Sequence, residues 1–246
     1  MGESMDTPTV VLVHGGFADS SYWVPVIEDL QAHNVPVLAP ANPLRGLAQD
    51  SEYIASFVNQ IDGPVLLVGH SYGGAVISVA GASTPNAVGL VYIAAWALDE
   101  GESFGEIYAK FGDTPILTSV HPSSYPLPDG GTAVELTIAP EHYQEAFAAD
   151  LPEEVVRVLA VRQRPFAAIF DDRAQAAAWK TLPAWAVVAT ADQAIPVDGE
   201  RHMARRAGAE PIEVDASHSV ALSQPAVVAE LIRTAVEATS TAPSAV

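Results

Sequence analysis

Two runs of the chain that are apolar almost throughout restrict its fold more than any other feature. They are "PVLLVGH" (64–70) and "VGLVYIAA" (88–95), and neither shows the alternation of polar and apolar residues typical of a strand with one face in water. Strands covered on both faces occur mainly in parallel sheets that lie between two layers of helices. The two runs therefore predict the centre of a parallel sheet.

Four further β-rich runs alternate with helical patterns along the rest of the chain. We predict these strands at 9–15, 35–40, 184–190 and 210–216. Between strands, apolar residues recur at i, i+4 and i+7, as at Trp23, Ile27 and Leu30. The alternation predicts right-handed βαβ crossovers, so the expected fold class is α/β with a doubly wound, mostly parallel sheet.

Residues 98–180 interrupt this alternation. They contain a turn-rich stretch at 121–131, followed by helical patterns, and the whole segment is too long to be an ordinary loop. We expect it to form a helical cap, or lid, over a core domain made of 1–97 and 181–240. The polar and small residues of 241–246 predict a disordered tail.

The composition excludes several classes of partner and site. With 11 Lys and Arg against 30 Asp and Glu, the formal charge is −19, so nucleic acid is a poor partner. The absence of cysteine excludes disulfides, thiolate metal ligands and a cysteine nucleophile. No apolar run is long enough to suggest a membrane span, and "MGESMDTPT" at the N-terminus lacks the basic-then-apolar pattern of a secretory signal. We therefore expect a cytoplasmic protein with no membrane partner.

The first of the two apolar runs ends in "GHSYG", which fits the pattern G-x-S-x-G. A strand that passes sharply into a helix at such a motif holds its serine in a strained conformation, with the hydroxyl exposed above the carboxyl edge of the sheet. Gly69 and Gly73 would remove side-chain clashes at this turn. The motif makes Ser71 a candidate nucleophile, and a serine that only caps the following helix is the alternative interpretation.

A serine hydroxyl needs a base, usually a histidine that a carboxylate orients. Of the seven histidines, His218 is the best candidate because it lies in a loop between the last strand and the last helix. Asp192 comes just after the strand at 184–190 and is the favoured acid. Asp99, after the strand at 88–95, is the alternative. A solvated loop histidine and an aspartate that closes an Asx-turn are the non-catalytic interpretations.

Acyl transfer also needs N–H donors for the negative oxygen that forms at the attacked carbonyl. The backbone N–H of Tyr72, the residue after the nucleophile, is one candidate. The other is the N–H of Gly16 in "HGGF", with Phe17 as the next choice, because glycine lets the backbone approach a substrate closely. A plain strand-ending turn would also explain these glycines. No metal-ligand cluster is visible in the sequence, and the predicted chemistry needs neither metal nor cofactor.

Taken together, these motifs resemble the α/β-hydrolase superfamily, and in particular the plant methylesterase and hydroxynitrile lyase group with its bacterial relatives. The resemblance lies in "VLVHGGFADSSYW", "LVGHSYGG", "VYIAAWALDEGES", "TADQAIP" and "SHSVALSQPAVVAELI". It implies a small helical cap over Ser71, no cofactor and hydrolysis of a small ester. It also implies a triad of Ser71, His218 and Asp192, with Gly16 and Tyr72 as oxyanion donors, and a place for Trp96 in the substrate pocket. Packing in the core is the other interpretation of Trp96.

Two positions depart from the hydroxynitrile lyases of that group, which have a threonine after the first-strand histidine and a lysine after the catalytic histidine. Here these positions hold Gly15 and Ser219, which argues against cleavage of cyanohydrins. We therefore predict a serine hydrolase that cleaves small to medium uncharged carboxylic esters or lactones through an acyl-enzyme, in a mostly apolar pocket lined by Phe17, Trp96 and cap side chains. The alternatives are a lyase or cofactor-free oxidative enzyme on the same scaffold, or a ligand-binding protein with little turnover.

Overall fold

A parallel sheet forms the centre of the protein, whose computed structural model describes residues 7–240. The strands of this part of the chain are β1 (Thr9–Val13), β2 (Val37–Leu38), β3 (Val65–Ser71), β4 (Ala87–Ala95), β5 (Val120–Pro126), β6 (Thr132–Ile138), β7 (Phe166–Ala167), β8 (Ala184–Ala189) and β9 (Ile212–Val214). Six of them pair in parallel in the spatial order β2–β1–β3–β4–β8–β9. All six strands predicted from the sequence lie in this sheet, and the predicted α/β fold class is confirmed.

Helices cover both faces of this sheet. The helices of residues 7–240 are α1 (Val24–Ala32), α2 (Leu47–Val58), α3 (Tyr72–Ala80), α4 (Phe104–Phe111), α5 (Ile116–Ser119), α6 (Tyr143–Phe147), α7 (Glu153–Arg162), α8 (Val197–Arg206), α9 (Val220–Ser223) and α10 (Pro225–Thr239). Short 3-10 turns lie at Ser20–Trp23, Gly81–Ser83, Pro140–His142 and Ala178–Lys180. Within residues 7–240, none of these helices combines the length and the apolar character needed to cross a membrane.

The apolar pattern of β3 follows from its position at the centre of the sheet. Every residue of the strand is buried. Leu67 belongs to a buried cluster with Ile77 of α3, whereas its neighbour Leu66 belongs to a second cluster with Ile232 of α10. Successive side chains of a strand point to opposite faces, so a strand between two helical layers has no polar face.

The segment 98–180 contains more than the helices that the sequence predicted. Strands β5, β6 and β7 form a small antiparallel sheet, so the helical description of this segment is incomplete and the stretch at 121–131 is mostly a hairpin. Pro122 and Pro126 made this stretch look like a series of turns. Both lie on β5, an edge strand, where a missing N–H is tolerated. We keep 98–180 as the proposed bounds of a cap and call this segment the insertion; the tail at 241–246 lies outside the described residues.

The turn from β3 into α3 brings the first turn of that helix against the end of β1. A Cβ atom on Gly73 would overlap the carbonyl oxygen of Val13, and one on Gly69 would lie 2.5 Å from the carbonyl of Gly73. Both distances are shorter than real Cβ contacts allow. These two glycines therefore set how closely the helix can approach the sheet at this turn.

Replacing Gly73 by alanine should lower the free energy of unfolding by about 2 kcal/mol or more, because the new methyl group must push backbone apart. Chemical denaturation followed by circular dichroism measures this. Gly105→Ala is the matched control, since its Cβ would lie 3.4 Å from the nearest atom, the carbonyl oxygen of Phe170. Equal stabilities for the two variants would contradict this account of the turn.

Candidate active site

Ser71 lies at the junction of β3 and α3 with φ 53° and ψ −124°, a region that residues with side chains rarely occupy. Such backbone strain persists only where the surrounding structure enforces it, and it is common at active sites. The residue is 8% exposed, and it lines a cavity above the carboxyl edge of the sheet. The sequence prediction of a strained serine between strand and helix agrees with this geometry.

His218 and Asp192 form a buried pair beside the same cavity. His218 Nδ1 donates to Asp192 Oδ2 over 2.5 Å, and the two residues are 1% and 3% exposed. The other carboxylate oxygen, Oδ1, accepts from the backbone N–H groups of Ala194 at 2.6 Å and Ile195 at 2.9 Å. These bonds fix the orientation of the carboxylate, which in turn fixes the imidazole ring and its tautomer.

The second ring nitrogen of His218 remains available. Nε2 is buried and has no hydrogen-bond partner within residues 7–240, Ser71 included. Because Nδ1 carries the proton donated to Asp192, Nε2 presents a lone pair, and both His218 and Ser71 line the cavity. Hydrogen bonds between nucleophile and base are often long in unliganded sites and shorten when substrate binds.

Asp99, the alternative acid, lies elsewhere. Its carboxylate pairs with Lys180 Nζ at 2.5 Å in a partly exposed ion pair. The structure thus brings His218 together with Asp192, the carboxylate that the sequence favoured.

The loop that carries His218 is held by contacts that no sequence motif indicated. The hydroxyl and the backbone N–H of Ser217 both donate to Asp150, and Ser219 Oγ donates to the carbonyl of Phe147 over 2.8 Å. On its other side, the His218 carbonyl accepts from His70 Nε2 over 2.9 Å. Asp150 and Ser217 are 67 positions apart in sequence, so no local pattern could have revealed their contact.

The loop after β1, which carries the candidate donor Gly16, is fixed by a buried histidine. His14 Nε2 accepts from the backbone N–H of Asn42 over 2.9 Å, and Nδ1 therefore carries the proton that it donates to the Gly15 carbonyl. Burial lowers the pKa of His14 to about 4, so the ring is neutral at pH 7. Phe17, the next residue along, has φ 59°. Gly16 and Tyr72 both line the cavity with Ser71, as their predicted roles require.

The cavity itself is apolar and aromatic. The empty space in the cavity, together with the open solvent at its mouth, is about 600 Å³. Its lining, all within the described part of the chain, contains no Asp, Glu, Lys or Arg; it consists of Gly16, Phe17, Ser71, Tyr72, Trp96, Phe104, Tyr108, Ile116, Leu117, Val120, Leu136, Phe147, Phe166, Ala167, Ile169, Phe170, Ala194, Ile195 and His218. Trp96 lines the cavity and also packs on Phe104 and Tyr108, so the same side chain borders the cavity and belongs to the packed interior. Within residues 7–240 no group of three or more His, Asp or Glu side chains is arranged to hold a metal ion.

Comparison with known families agrees with this geometry. The sequence model of the alpha/beta hydrolase family matches residues 10–231, which is most of the chain. The chain belongs to this family. The parallel sheet of six strands between helices is thus the fold of an alpha/beta hydrolase.

Individual relatives are distant. A chloroplastic protein of Arabidopsis thaliana named as a methylesterase is 23% identical over 250 residues, and the match covers 94% of this chain but only 64% of that protein. Polyneuridine aldehyde esterase has a similar fold, with a TM-score of 0.80 and 21% identity over 93% of this chain and 99% of the other. A pyrethroid hydrolase from Sphingobium faniae JZ-2 gives a TM-score of 0.76 and 22% identity, over 94% and 98% of the two chains. At these identities the structural matches establish the shared fold.

The neutral state of His14 predicts a specific acid sensitivity. In the unfolded chain a histidine binds its proton near pH 6.5, whereas folded His14 does so only near pH 4, so its contribution to stability is lost as the pH falls between these values. The free energy of unfolding should drop by up to about 3 kcal/mol from this residue alone. Chemical denaturation of wild type and His14→Asn at pH 7, 6, 5 and 4.5 isolates the effect, since other groups cancel in the difference. Parallel pH dependence in the two proteins would refute it.

Proposed function

We propose that this alpha/beta hydrolase is a serine esterase that cleaves small to medium uncharged carboxylic esters or lactones through an acyl-enzyme. The observation that carries the proposal is the buried Asp192–His218 pair, whose free Nε2 lines the same uncharged cavity as the strained Ser71. Esterase and hydrolase relatives on the same fold support it.

In this proposal Ser71 Oγ attacks the ester carbonyl while His218 Nε2 takes its proton. The imidazolium then gives that proton to the departing alcohol, which leaves an acyl group on Ser71. Water enters, His218 removes its proton, and the acyl-enzyme is hydrolysed. Asp192 keeps Nδ1–H directed toward itself and stabilises the positive ring between the two proton transfers.

The developing negative charge on the carbonyl oxygen needs donors placed in advance. Tyr72 is the first residue of α3, so its N–H has no partner within the helix and lies at the positive end of the helix dipole. We assign this N–H and that of Gly16 to the oxyanion, with Phe17 as the second choice in the same loop. Removing one such donor costs about 2.7–4 kcal/mol in enzymes of this type.

The lining of the cavity defines the substrate class. A carboxylate or ammonium group buried there would lose its hydration and gain no partner of opposite charge, at a cost of several kcal/mol. A neutral ester loses much less, and its acyl and alcohol groups gain contact with aromatic rings such as those of Phe17, Trp96 and Phe166. The insertion contributes Phe166 and much of the remaining wall, which is why we interpret it as a cap.

Cyanohydrin cleavage on the same scaffold is disfavoured by two positions. A Cβ atom on Gly15 would lie 2.7 Å from the Ser71 Cβ, so the backbone here has no room for a threonine at this position. Ser219 Oγ is buried and already donates to the Phe147 carbonyl. A departing cyanide would therefore meet neither the hydroxyl nor the cation that the corresponding lyases provide.

Replacing the nucleophile tests the proposal directly. Ser71→Ala should keep the fold and lower kcat for p-nitrophenyl acetate or butyrate by roughly 10³-fold or more, because nucleophile and base act as one unit. Release of p-nitrophenol, followed by absorbance, measures this, and circular dichroism verifies folding. Near-full activity in a folded Ser71→Ala protein would end the proposal.

The assignment of Asp192 as the acid can be tested with the same substitution at Asp192 and at Asp99. Asp192→Asn should lower kcat by about 10⁴-fold, because an asparagine favours the wrong tautomer of His218. Asp99→Asn removes a partly exposed carboxylate that forms an ion pair with Lys180 and accepts from the backbone N–H of Glu100, and it should leave kcat within about twofold. If Asp99→Asn lowered kcat strongly and Asp192→Asn lowered it little, Asp99 would be the acid instead of Asp192.

A charged group on the substrate should lower kcat/KM. We expect kcat/KM for a neutral ester to exceed that of a carboxylate-bearing ester of similar size by at least about tenfold, since the cavity offers an anion no partner. Release of cyanide from mandelonitrile should not rise above the buffer blank on the same enzyme preparation. Ser71-dependent cyanide release without ester turnover would replace the esterase proposal with a lyase.

A further inference from the structure

A second carboxyl group lies buried behind Asp192. Glu200, on α8, is 2% exposed. Its Oε2 accepts one long hydrogen bond, 3.3 Å, from the backbone N–H of Ala189, and its Oε1 has no donor in the part of the chain that the structure describes. Asp192 is its neighbour, since the backbone N–H of Asp192 donates to the carbonyl of the same Ala189 over 3.2 Å, and its carboxylate acts directly on that of Glu200.

Two adjacent carboxylates in a dry site cannot both be ionised at moderate cost. Asp192, in the loop after β8, also carries the hydrogen bond to His218. The nearest cation, Arg201 on the same helix, is already engaged with Asp198 and with Glu213 of β9 at the surface. One of the two carboxyl groups must therefore hold a proton.

The hydrogen bonds show which of them does. Asp192 accepts three N–H bonds, from His218, Ala194 and Ile195, and all three stabilise its ionised form. Within residues 7–240, Glu200 accepts only the long bond from Ala189. Burial and, after it, the neighbouring Asp192 charge raise the pKa of Glu200 well above its usual range.

We propose that Glu200 is a positioning residue, a neutral carboxylic acid whose O–H donates to Asp192. In this bond the otherwise unpaired Oε1 carries the proton, and Asp192 accepts a fourth hydrogen bond. It also withdraws charge from the Asp192 carboxylate, so His218 holds its proton less tightly and is free as a base at lower pH. The protonation of Glu200 is independent of the esterase proposal, whereas its effect on His218 as a base rests on it.

Unfolding measurements test the protonation without any assay of activity. In the unfolded chain Glu200 loses its proton near pH 4.5, and in the proposed folded state it keeps it, so rising pH favours unfolding of the wild type. Glu200→Gln keeps an N–H donor and cannot ionise. The ratio of the unfolding constants, wild type over Glu200→Gln, should therefore rise about tenfold per pH unit above about 4.5, until folded Glu200 ionises. A ratio that stays constant from pH 5 to 8 would overturn the proposal.

Kinetics test the positioning role. Glu200→Gln should keep kcat/KM within about threefold of wild type, whereas Glu200→Met, of similar length but with no donor, should lower it about tenfold. Glu200→Met should also move the acid limb of the pH profile to higher pH, because an unshielded Asp192 holds the imidazolium proton more tightly. Loss of packing alone would leave that limb in place, and this result in a folded protein would overturn the role.

Two controls separate the possible failures. Glu200→Asp withdraws the O–H from Asp192 by one methylene and should shift the acid limb in the same direction, so a second variant is available if Glu200→Met does not fold. If wild type and Ser71→Ala hydrolyse esters equally, the esterase proposal fails, while the unfolding ratio still decides whether Glu200 is neutral.

Discussion

The close approach of α3 to the ends of β1 and β3 is the contact on which the site depends. It is possible because Gly69 and Gly73 carry no side chain where strand and helix backbones meet. At the same turn Ser71 has its positive φ of 53°, and Gly15, the neighbour of the candidate donor Gly16, lies against the Ser71 side chain. A single packing constraint therefore places both the candidate nucleophile and the candidate oxyanion donors at one end of the cavity.

Opposite this rigid turn, the histidine loop is assembled from distant parts of the chain. The ring of His218 is hydrogen-bonded to Asp192, and its backbone carbonyl accepts from His70 of β3. The neighbouring residues Ser217 and Ser219 donate hydrogen bonds to the insertion. Buried, neutral imidazoles recur in this arrangement: burial lowers the pKa of His70 well below its usual range, as it does for His14. Because these two rings are neutral, they form hydrogen bonds in the site without placing a positive charge near His218.

The sequence predicted those features that depend on local pattern. The six sheet strands followed from apolar runs, and the pairing of His218 with Asp192 followed from where loops leave the strands. The hairpin in the insertion was missed because its prolines lie on an edge strand, and only the sheet order reveals that edge. Glu200 was missed for a different reason: in a helix with several charged residues, nothing in the sequence distinguishes the one that is buried.

The bonds from Ser217 to Asp150 and from Ser219 to Phe147 limit how the insertion can be replaced by that of a relative. They tie the candidate base to the segment that shapes the pocket, so the insertion is not an independent module. A chimera that receives this segment from a relative would have a different pocket lining. It would also have different hydrogen-bond partners for the loop that carries His218. A chimera of this chain therefore keeps the position of His218 only when the new segment also brings a carboxylate to Ser217 and a carbonyl to Ser219.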